Sequence, residues 1–199
     1  HEYGVRLEDI HWFIGGLDPP TSPPLFPLSL PATIKVDYLP LDRTLEGMLE
    51  TGELDALFAL YIPSIFQNGS LRIARLFPNY YEVEQDYYRR TRIFPIMHTV
   101  VVREDIYRQS PWVTGSIYKA FCEARDLAVN ELYDTDALRL SLPWLISHLE
   151  ETWRALGKDF WAYGLEANRP ALEAIGQYVY EQGFSPRAVS PEELFALDV

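Results

Sequence analysis

The chain has 199 residues, of which 48% are apolar and 14% aromatic, and Asp and Glu outnumber Lys and Arg by 29 to 17. This composition excludes a disordered chain, and no apolar run reaches the roughly 18 residues of a membrane-spanning helix, so we expect no membrane insertion. The net charge of −12 argues against a nucleic-acid-binding surface and favours a small-molecule ligand. Cys122 is the single cysteine, which excludes an intrachain disulfide and a cysteine-based zinc site.

The first residues, His1 to Val5, include no initiator methionine, no basic n-region and no apolar h-region. An ordinary start of translation or a signal peptide has such features. We therefore expect a chain that begins within a fold. We expect a cytoplasmic location, or a periplasmic one if the full-length gene encodes a signal peptide.

The first elements in chain order predict an α/β lobe. Ile10 to Ile14 is a short apolar run that predicts a strand ending at Gly15-Gly16, and six prolines between Pro19 and Pro31 predict an extended connection. Residues 34–38 alternate apolar and polar side chains, as a second strand does.

A helix and a third strand are predicted to follow. Asp42 is the candidate N-cap of the helix and Gly52 the candidate C-cap, because a helix often ends at a left-handed residue. Leu54 to Leu60 is an apolar run interrupted only by Asp55, which predicts a strand. Strand, helix and strand in this order indicate a βαβ unit with a parallel sheet.

The second half of the chain is predicted to be helical. A helix at about 80–90 leads into an apolar strand that contains His98, and four amphipathic stretches follow at about 111–130, 142–156, 169–182 and 191–197. Two sets of apolar residues are spaced as buried stripes: Trp112, Ile117, Phe121 and Leu127, then Trp144, Leu145, Leu149 and Leu156. Four helices without a sheet indicate a second lobe whose strands lie upstream of His1. A homo-oligomer that covers the helix faces is also possible.

In open parallel sheets, ligands bind beyond the carboxyl ends of the strands. Gly15 and Gly16 follow the first strand, and Tyr61 and Ser64 follow the third, so these four are the candidate substrate-binding residues. Their backbone amides and the Ser64 hydroxyl would hold a carboxylate; a plain turn and a helix cap are the alternative. The sequence has no Walker loop, dinucleotide fingerprint, His-x-x-x-His pair or Gly-x-Ser-x-Gly elbow, which removes the commonest nucleotide, zinc and serine-hydrolase sites.

Residues 72–108 carry seven arginines against five acids, which makes this segment the candidate for binding an anion. His98 lies in its apolar strand shortly after Arg90 and Arg92. A lone histidine there is either a satisfied core residue or an acid–base group, and arginines at a helix end either complement the helix dipole or bind a ligand. We take His98 and Arg92 as the candidate catalytic residues and Arg90 as a candidate substrate-binding residue.

Four motifs carry a resemblance to a known family: Gly52–Leu57, Arg75–Pro78, Tyr87–Val101 and Gly164–Arg169. Together they resemble the 4,5-dihydroxyphthalate decarboxylase family over nearly the whole chain. The resemblance implies the α/β fold of the type 2 periplasmic solute-binding proteins, in which crossing strands join two lobes around a ligand cleft. It also implies that this chain matches only the C-terminal two thirds of a member. Residues 1–95 are then one α/β lobe with a mixed or parallel sheet, 96–103 a crossing (hinge) strand, and 104–199 the C-terminal helices of an incomplete second lobe.

The resemblance implies decarboxylation of a hydroxylated aromatic dicarboxylate, with no cofactor and no metal. In that reaction His98 would protonate the ring and Arg92 would clamp a carboxylate. His11 is a weaker second acid or base, and His148 is expected to be structural. The alternative is a solute-binding protein of an ABC-type uptake system, or a sensor, that closes on a small organic anion without chemistry.

The chain departs from the family pattern at two places. That pattern has basic residues near the Gly-Gly loop and just after the third strand, whereas this chain has Pro19 to Pro24 and Tyr61-Ile62 there. These departures weaken the expectation that the substrate is the same dianion.

Overall fold

The computed structural model describes residues 2–18 and 30–196. The chain divides into two compact units: His1–Pro78 with Gln182–Pro186, and Asn79–Glu181 with Arg187–Val199. Most of the predicted proline-rich connection, residues 19–29, and the end of the last predicted helix lie outside the described residues. The predicted role of residues 96–103 as a hinge between two lobes around a cleft, and the predicted incomplete second lobe, stay predictions.

The first unit contains a small parallel sheet. Strand β1 spans His11–Ile14 and strand β2 spans Lys35–Tyr38, with His11 opposite Lys35 and Ile14 opposite Tyr38. A 3-10 turn at Leu7–Asp9 precedes β1. Both strands and their parallel orientation were predicted from the sequence, so the α/β class is confirmed.

Helix α1 spans Leu45–Thr51 and connects β2 to the following segment. Its N-cap is Thr44, whose side-chain oxygen accepts a hydrogen bond from the Gly47 amide, so the prediction of Asp42 as the cap was wrong. Either residue type can cap a helix, but Asp42 lies in the preceding turn. Gly52 ends the helix with φ 80°, the left-handed conformation that was predicted.

The prediction of a third strand at Leu54–Leu60 was wrong. The described residues form a sheet of two strands, and this apolar run pairs with neither of them. Phe58 and Leu60 are 93% and 88% exposed. An apolar run becomes a buried strand only when a neighbouring strand takes up its backbone groups, and no described residue does so here. The short helix α2, Ser64–Gln67, follows.

The regular secondary structure in the described part of the second unit is helical. Its helices are α3 (Tyr80–Thr91), α4 (Glu104–Gln109), α5 (Trp112–Leu132), α6 (Leu145–Leu156), α7 (Arg169–Glu181) and α8 (Pro191–Leu194). The helical second half is confirmed, although α4 was not predicted. The described residues include no helix that is both long and apolar enough to cross a membrane.

Two sequence expectations for the second unit were wrong. Residues 92–103 form no strand with any described residue, and Val101 in this segment is 87% exposed. The predicted stripe on α5 is not buried, because Trp112 is 69% and Leu127 66% exposed. On α6, Leu149 is buried as predicted. The spacing of the apolar residues correctly predicted that α5 is a helix. Trp112 and Leu127 on its apolar face are not covered by any described element.

Candidate functional site

The Gly15-Gly16 turn lies where the carboxyl ends of β1 and β2 meet. The Leu39 amide donates to the Ile14 carbonyl at 2.9 Å, which brings Leu39 against the turn. A Cβ atom on Gly15 would lie 2.8 Å from the Leu39 Cβ, and Leu39 is itself buried. Close packing therefore explains why residue 15 is a glycine.

The same turn binds helix α1 through its carbonyl groups. The Gly16 carbonyl accepts from the Leu45 amide at 2.9 Å, and the Leu17 carbonyl accepts from the Glu46 amide at 3.4 Å. These bonds use amides of the first turn of α1, which have no partner within the helix. The turn thus fixes the position of α1 relative to the sheet.

Glu46 is the buried charged residue of this region, with 5% of its surface exposed. Its Oε1 atom accepts from the Ser64 hydroxyl at 2.5 Å and from the Ile65 amide at 2.6 Å. Burial alone would raise the pKa of Glu46, but the hydrogen bonds from Ser64 and Ile65 outweigh burial and hold the pKa below its ordinary value. Glu46 is therefore an ionised carboxylate that joins α1 to the start of α2.

Three of the four predicted residues of the first unit contact β2 or helix α1. Gly15 and Gly16 contact β2 and α1, and Ser64 contacts α1 through Glu46. Tyr61 lies in the adjoining segment with its side chain 78% exposed. Glu46 was missed from the sequence, since nothing in the pattern of α1 distinguishes a buried acid from the exposed acids of a helix start.

His11 forms a cross-strand pair at the opposite end of β1. Its Nε2 atom lies 2.9 Å from the Asp37 Oδ2, and its ring centroid lies 4.4 Å from that of Phe13. With a rise of about 3.3 Å per residue, His11 is roughly 13 Å along the strand from Gly15. The position of His11 therefore does not favour its predicted role as a second acid or base near the Gly-Gly turn. Its pairing with Asp37 was not predicted from the sequence.

In the second unit, Arg89, Arg90 and the candidate catalytic residue Arg92 lie at the C-terminal end of α3. Arg90 Nε donates to Asp86 Oδ2 at 2.8 Å, and Arg89 Nη1 lies 3.9 Å from Asp86 Oδ1. Asp86 is on the preceding turn of the same helix, so these are ordinary surface pairs of weak energy. Arg90 thus has a carboxylate partner, which a ligand carboxylate would have to share.

Arg92 differs from its neighbours in backbone and in partners. It ends α3 in the left-handed conformation, with φ 58° and ψ 19°, and its guanidinium lies 5.6 Å from the Tyr88 ring centroid. The described residues provide it with no carboxylate in ion-pair contact. A non-glycine residue with positive φ is uncommon and is often found at functional sites.

His98 lies in the extended segment after Arg92. Its side chain is exposed and forms no hydrogen bond with any described residue. Phe94 fixes the start of the segment, because its ring packs edge-on against Trp161 with a centroid distance of 5.4 Å. The expectation of a buried histidine strand was wrong. His98 is accessible to a ligand, and the structure shows no contact between it and Arg92.

Two further features bear on the chemistry. Within the described residues, no group of three or more His, Cys, Asp or Glu is placed to hold a metal ion.

In the Gly164–Arg169 motif, the Asn168 amide donates to the carbonyls of Ala162 and Gly164 at 3.0 and 2.9 Å. Arg169 forms ion pairs with carboxylates on α7 and α8. This motif therefore stabilises the second unit.

The fold is of the α/β class, and the candidate residues Arg92 and His98 have exposed side chains. No family profile matches the chain. The chain is 34% identical over 194 residues, 98% of its length, to a 4,5-dihydroxyphthalate decarboxylase of Comamonas testosteroni. It is 33% identical over 88 residues, 44% of its length, to a 4,5-dihydroxyphthalate decarboxylase of Pseudomonas putida.

These matches confirm the resemblance to the 4,5-dihydroxyphthalate decarboxylases that the motifs indicated. The aligned region is 59% of the Comamonas protein and 34% of the Pseudomonas protein. The chain thus spans less than two thirds of either curated relative.

Proposed function

We propose that the protein decarboxylates a hydroxylated aromatic dicarboxylate similar to 4,5-dihydroxyphthalate. The observation that carries this proposal is the 34% identity, over 98% of the chain, to the Comamonas testosteroni decarboxylase. The accessible His98 and the strained Arg92 support it, because they supply a proton donor and a cation.

The proposed reaction starts with proton transfer from His98 to the ring carbon that bears the departing carboxylate. The bond between this carbon and the carboxylate then breaks, its electron pair returns to the ring, and CO2 leaves. A ring hydroxyl para to that carbon supplies electron density for the protonation. The reaction consumes one proton, which His98 regains from water. A histidine suits this role because an imidazole changes its protonation state near neutral pH.

Arg92 is proposed to bind the carboxylate that is not lost. A planar guanidinium forms two parallel hydrogen bonds with a carboxylate, which fixes both the position and the orientation of the ring. Arg90, on the last turn of α3, is proposed to add positive charge nearby. The Tyr88 ring beneath Arg92 limits the directions in which the guanidinium can point.

CO2 release by the protein, as its gene encodes it, tests the proposal. The panel consists of 4,5-dihydroxyphthalate, phthalate without hydroxyls, and hydroxybenzoates with a single carboxylate. The monocarboxylates are included because Tyr61-Ile62 stands where the family pattern has a basic residue. We expect release of CO2 from a hydroxylated member and none from phthalate.

Calorimetric binding of the same panel separates the proposal from its alternative. Binding of the hydroxylated dicarboxylate without release of CO2 contradicts the decarboxylase and supports a solute-binding protein or a sensor. If CO2 is released at the same rate after substitution of His98, the proposed decarboxylase activity stands but His98 is not the proton donor.

A further inference from the structure

The bond between Glu46 and Ser64 determines what the Ser64 hydroxyl can offer to a ligand. A serine hydroxyl has one hydrogen to donate and two lone pairs that accept. At 2.5 Å from Glu46 Oε1, this hydrogen is directed at the carboxylate. Ser64 therefore presents only its accepting lone pairs to any other group.

We infer that Glu46 orients Ser64 as a hydrogen-bond acceptor, so that this part of the first unit recognises a hydroxyl group of the ligand and not a carboxylate. The inference rests on the proposed function for the class of ligand and revises the predicted use of the Ser64 hydroxyl. Ser64 is the residue that contacts the ligand, and Glu46 is a positioning residue.

The electrostatics of the site agree with this assignment. Glu46 is an ionised and buried carboxylate whose nearest donors are Ser64 and Ile65. A ligand carboxylate at Ser64 would lie close to this negative charge, in a region partly shielded from water, and like charges repel strongly there. A phenolic hydroxyl, which donates its hydrogen, has no such penalty.

Glu46 is also the main polar connection between the segment before Ser64 and the rest of the unit. From Asp55 to Ser64, no backbone amide donates to a backbone carbonyl of a described residue. The side chains of this segment are largely exposed, as for Phe58 at 93% and Tyr61 at 78%. The segment is thus fixed at its end by the carboxylate of Glu46, which accepts from Ser64 and Ile65.

The backbone of Glu46 connects this carboxylate to the glycine turn. The Glu46 amide donates to the Leu17 carbonyl, and the neighbouring Leu45 amide donates to the Gly16 carbonyl. The position of Ser64 therefore depends on the same first turn of α1 that Gly16 holds in place. A change of Glu46 affects the hydroxyl orientation directly and the segment position indirectly.

The readout is the ratio of dissociation constants for phthalate and 4,5-dihydroxyphthalate, measured by calorimetry with the protein as its gene encodes it. The two compounds carry the same carboxylates and differ only in their hydroxyls. We expect the wild-type protein to prefer the hydroxylated compound, and Ser64→Ala to reduce this preference by about fivefold or more, since one hydrogen bond is lost. The affinity for phthalate should change less than twofold.

Variants of Glu46 complete the test. Glu46→Ala frees the Ser64 hydrogen and should reduce the preference as Ser64→Ala does. Glu46→Gln keeps an accepting oxygen and should retain the preference within about twofold, which a general loss of structure would not reproduce. Glu50→Ala, an exposed acid on the same helix, is the matched control. Ser64→Ala alone decides the outcome if Glu46→Ala does not fold.

Two results would overturn the inference. The first is a wild-type protein that shows no preference for the hydroxylated compound. The second is an equal loss of affinity for both compounds in Ser64→Ala, since this would mean that Ser64 donates to a carboxylate. Binding preference without any CO2 release contradicts the proposed decarboxylation and leaves the Ser64 assignment supported.

Discussion

Arg92 is joined to Tyr88 twice. Its backbone amide donates to the Tyr88 carbonyl at 2.8 Å, and its guanidinium lies 5.6 Å from the centroid of the Tyr88 ring. The first contact ends helix α3 and places Arg92 in the left-handed conformation, with φ 58°. Glycine or asparagine is the residue that usually occupies such a position. Arginine at this position therefore costs free energy relative to glycine.

Arg92→Gly should separate stability from ligand binding. Relief of the left-handed strain contributes about 1 kcal/mol, and loss of the contact with Tyr88 removes about 0.5–1 kcal/mol, so the free energy of unfolding should stay within about 1 kcal/mol of the wild type. Affinity for the dicarboxylate should fall by about tenfold or more, because a charge-assisted pair of hydrogen bonds is lost. Urea unfolding and calorimetry measure the two effects.

Trp144 provides the control for Arg92→Gly. It has φ 66° and is 79% exposed, so Trp144→Gly relieves the same kind of strain. This variant should leave ligand affinity unchanged. A loss of affinity in both variants would show that glycine itself, and not the loss of the guanidinium, is responsible.

His98→Gln should lower the rate of CO2 release by about a hundredfold or more, because a general acid contributes at least this factor. The dissociation constant of the dicarboxylate should change less than threefold, since the proposed role of His98 is in the chemical step. Single-turnover CO2 release and calorimetry measure these quantities. His148→Gln, on the exposed face of α6, should leave both unchanged. A His98→Gln enzyme with a normal rate contradicts the proposed proton donor.

Gly15→Ala should destabilise the protein by about 1–3 kcal/mol, because the new methyl group would lie 2.8 Å from the Leu39 Cβ. Gly115→Ala is the matched comparison, since nothing lies within 4 Å of a Cβ at that position in α5. That substitution should stabilise the protein by about 0.5–1 kcal/mol. Urea unfolding should show a lower free energy of unfolding for Gly15→Ala and a higher one for Gly115→Ala. Equal effects would contradict the packing of Gly15 on Leu39.

The pH dependence of stability should have a contribution from Glu193. The Arg187 guanidinium at 2.6 Å and the Ser190 amide lower the pKa of Glu193 to about 2. A pKa that is lower in the folded state than in the unfolded state stabilises the fold above the unfolded value, about 4.3, and this contribution disappears as the pH falls towards 2. Glu193→Gln should therefore unfold at lower urea concentration than the wild type at pH 6.

The difference between Glu193→Gln and the wild type should become smaller as the pH is lowered from 4.5 to 3. Glu150→Gln, on the exposed surface of α6, is the control and should follow the wild type over this range. A difference that is constant with pH would mean that the charge of Glu193 has no part in the stabilisation.

The sequence predicted elements whose causes are local. Gly52 ends α1 as expected because a left-handed residue after a helix is a property of a few neighbouring residues. Strand β2 was recognised from the alternation of its side chains. A parallel sheet was predicted from the order strand, helix and third strand, whereas the observed parallel pair is β1 with β2. The choice between Asp42 and Thr44 as the cap failed because both residue types perform this function.

The errors concern features that depend on distant partners. The run at Leu54–Leu60 and the segment around His98 have strand-like sequences, but a strand exists only where another strand binds its backbone. The burial of Glu46 depends on Ser64 and Ile65, which are 18 and 19 residues further along the chain. Such contacts have no signature in the spacing of apolar residues, so the sequence indicated the glycine turn and Ser64 but not the acid that joins them.

The sheet of the described residues has only two strands, so each of them has one side without a backbone partner. The outer side of β2 is discouraged from association by the charges of Lys35 and Asp37, whereas β1 contains no lysine, arginine or acid. Within the described sheet, β1 is therefore the edge with less protection by charge against pairing with a second molecule. A charged substitution at Trp12 or Phe13 is the change to make first when a sample of this protein precipitates.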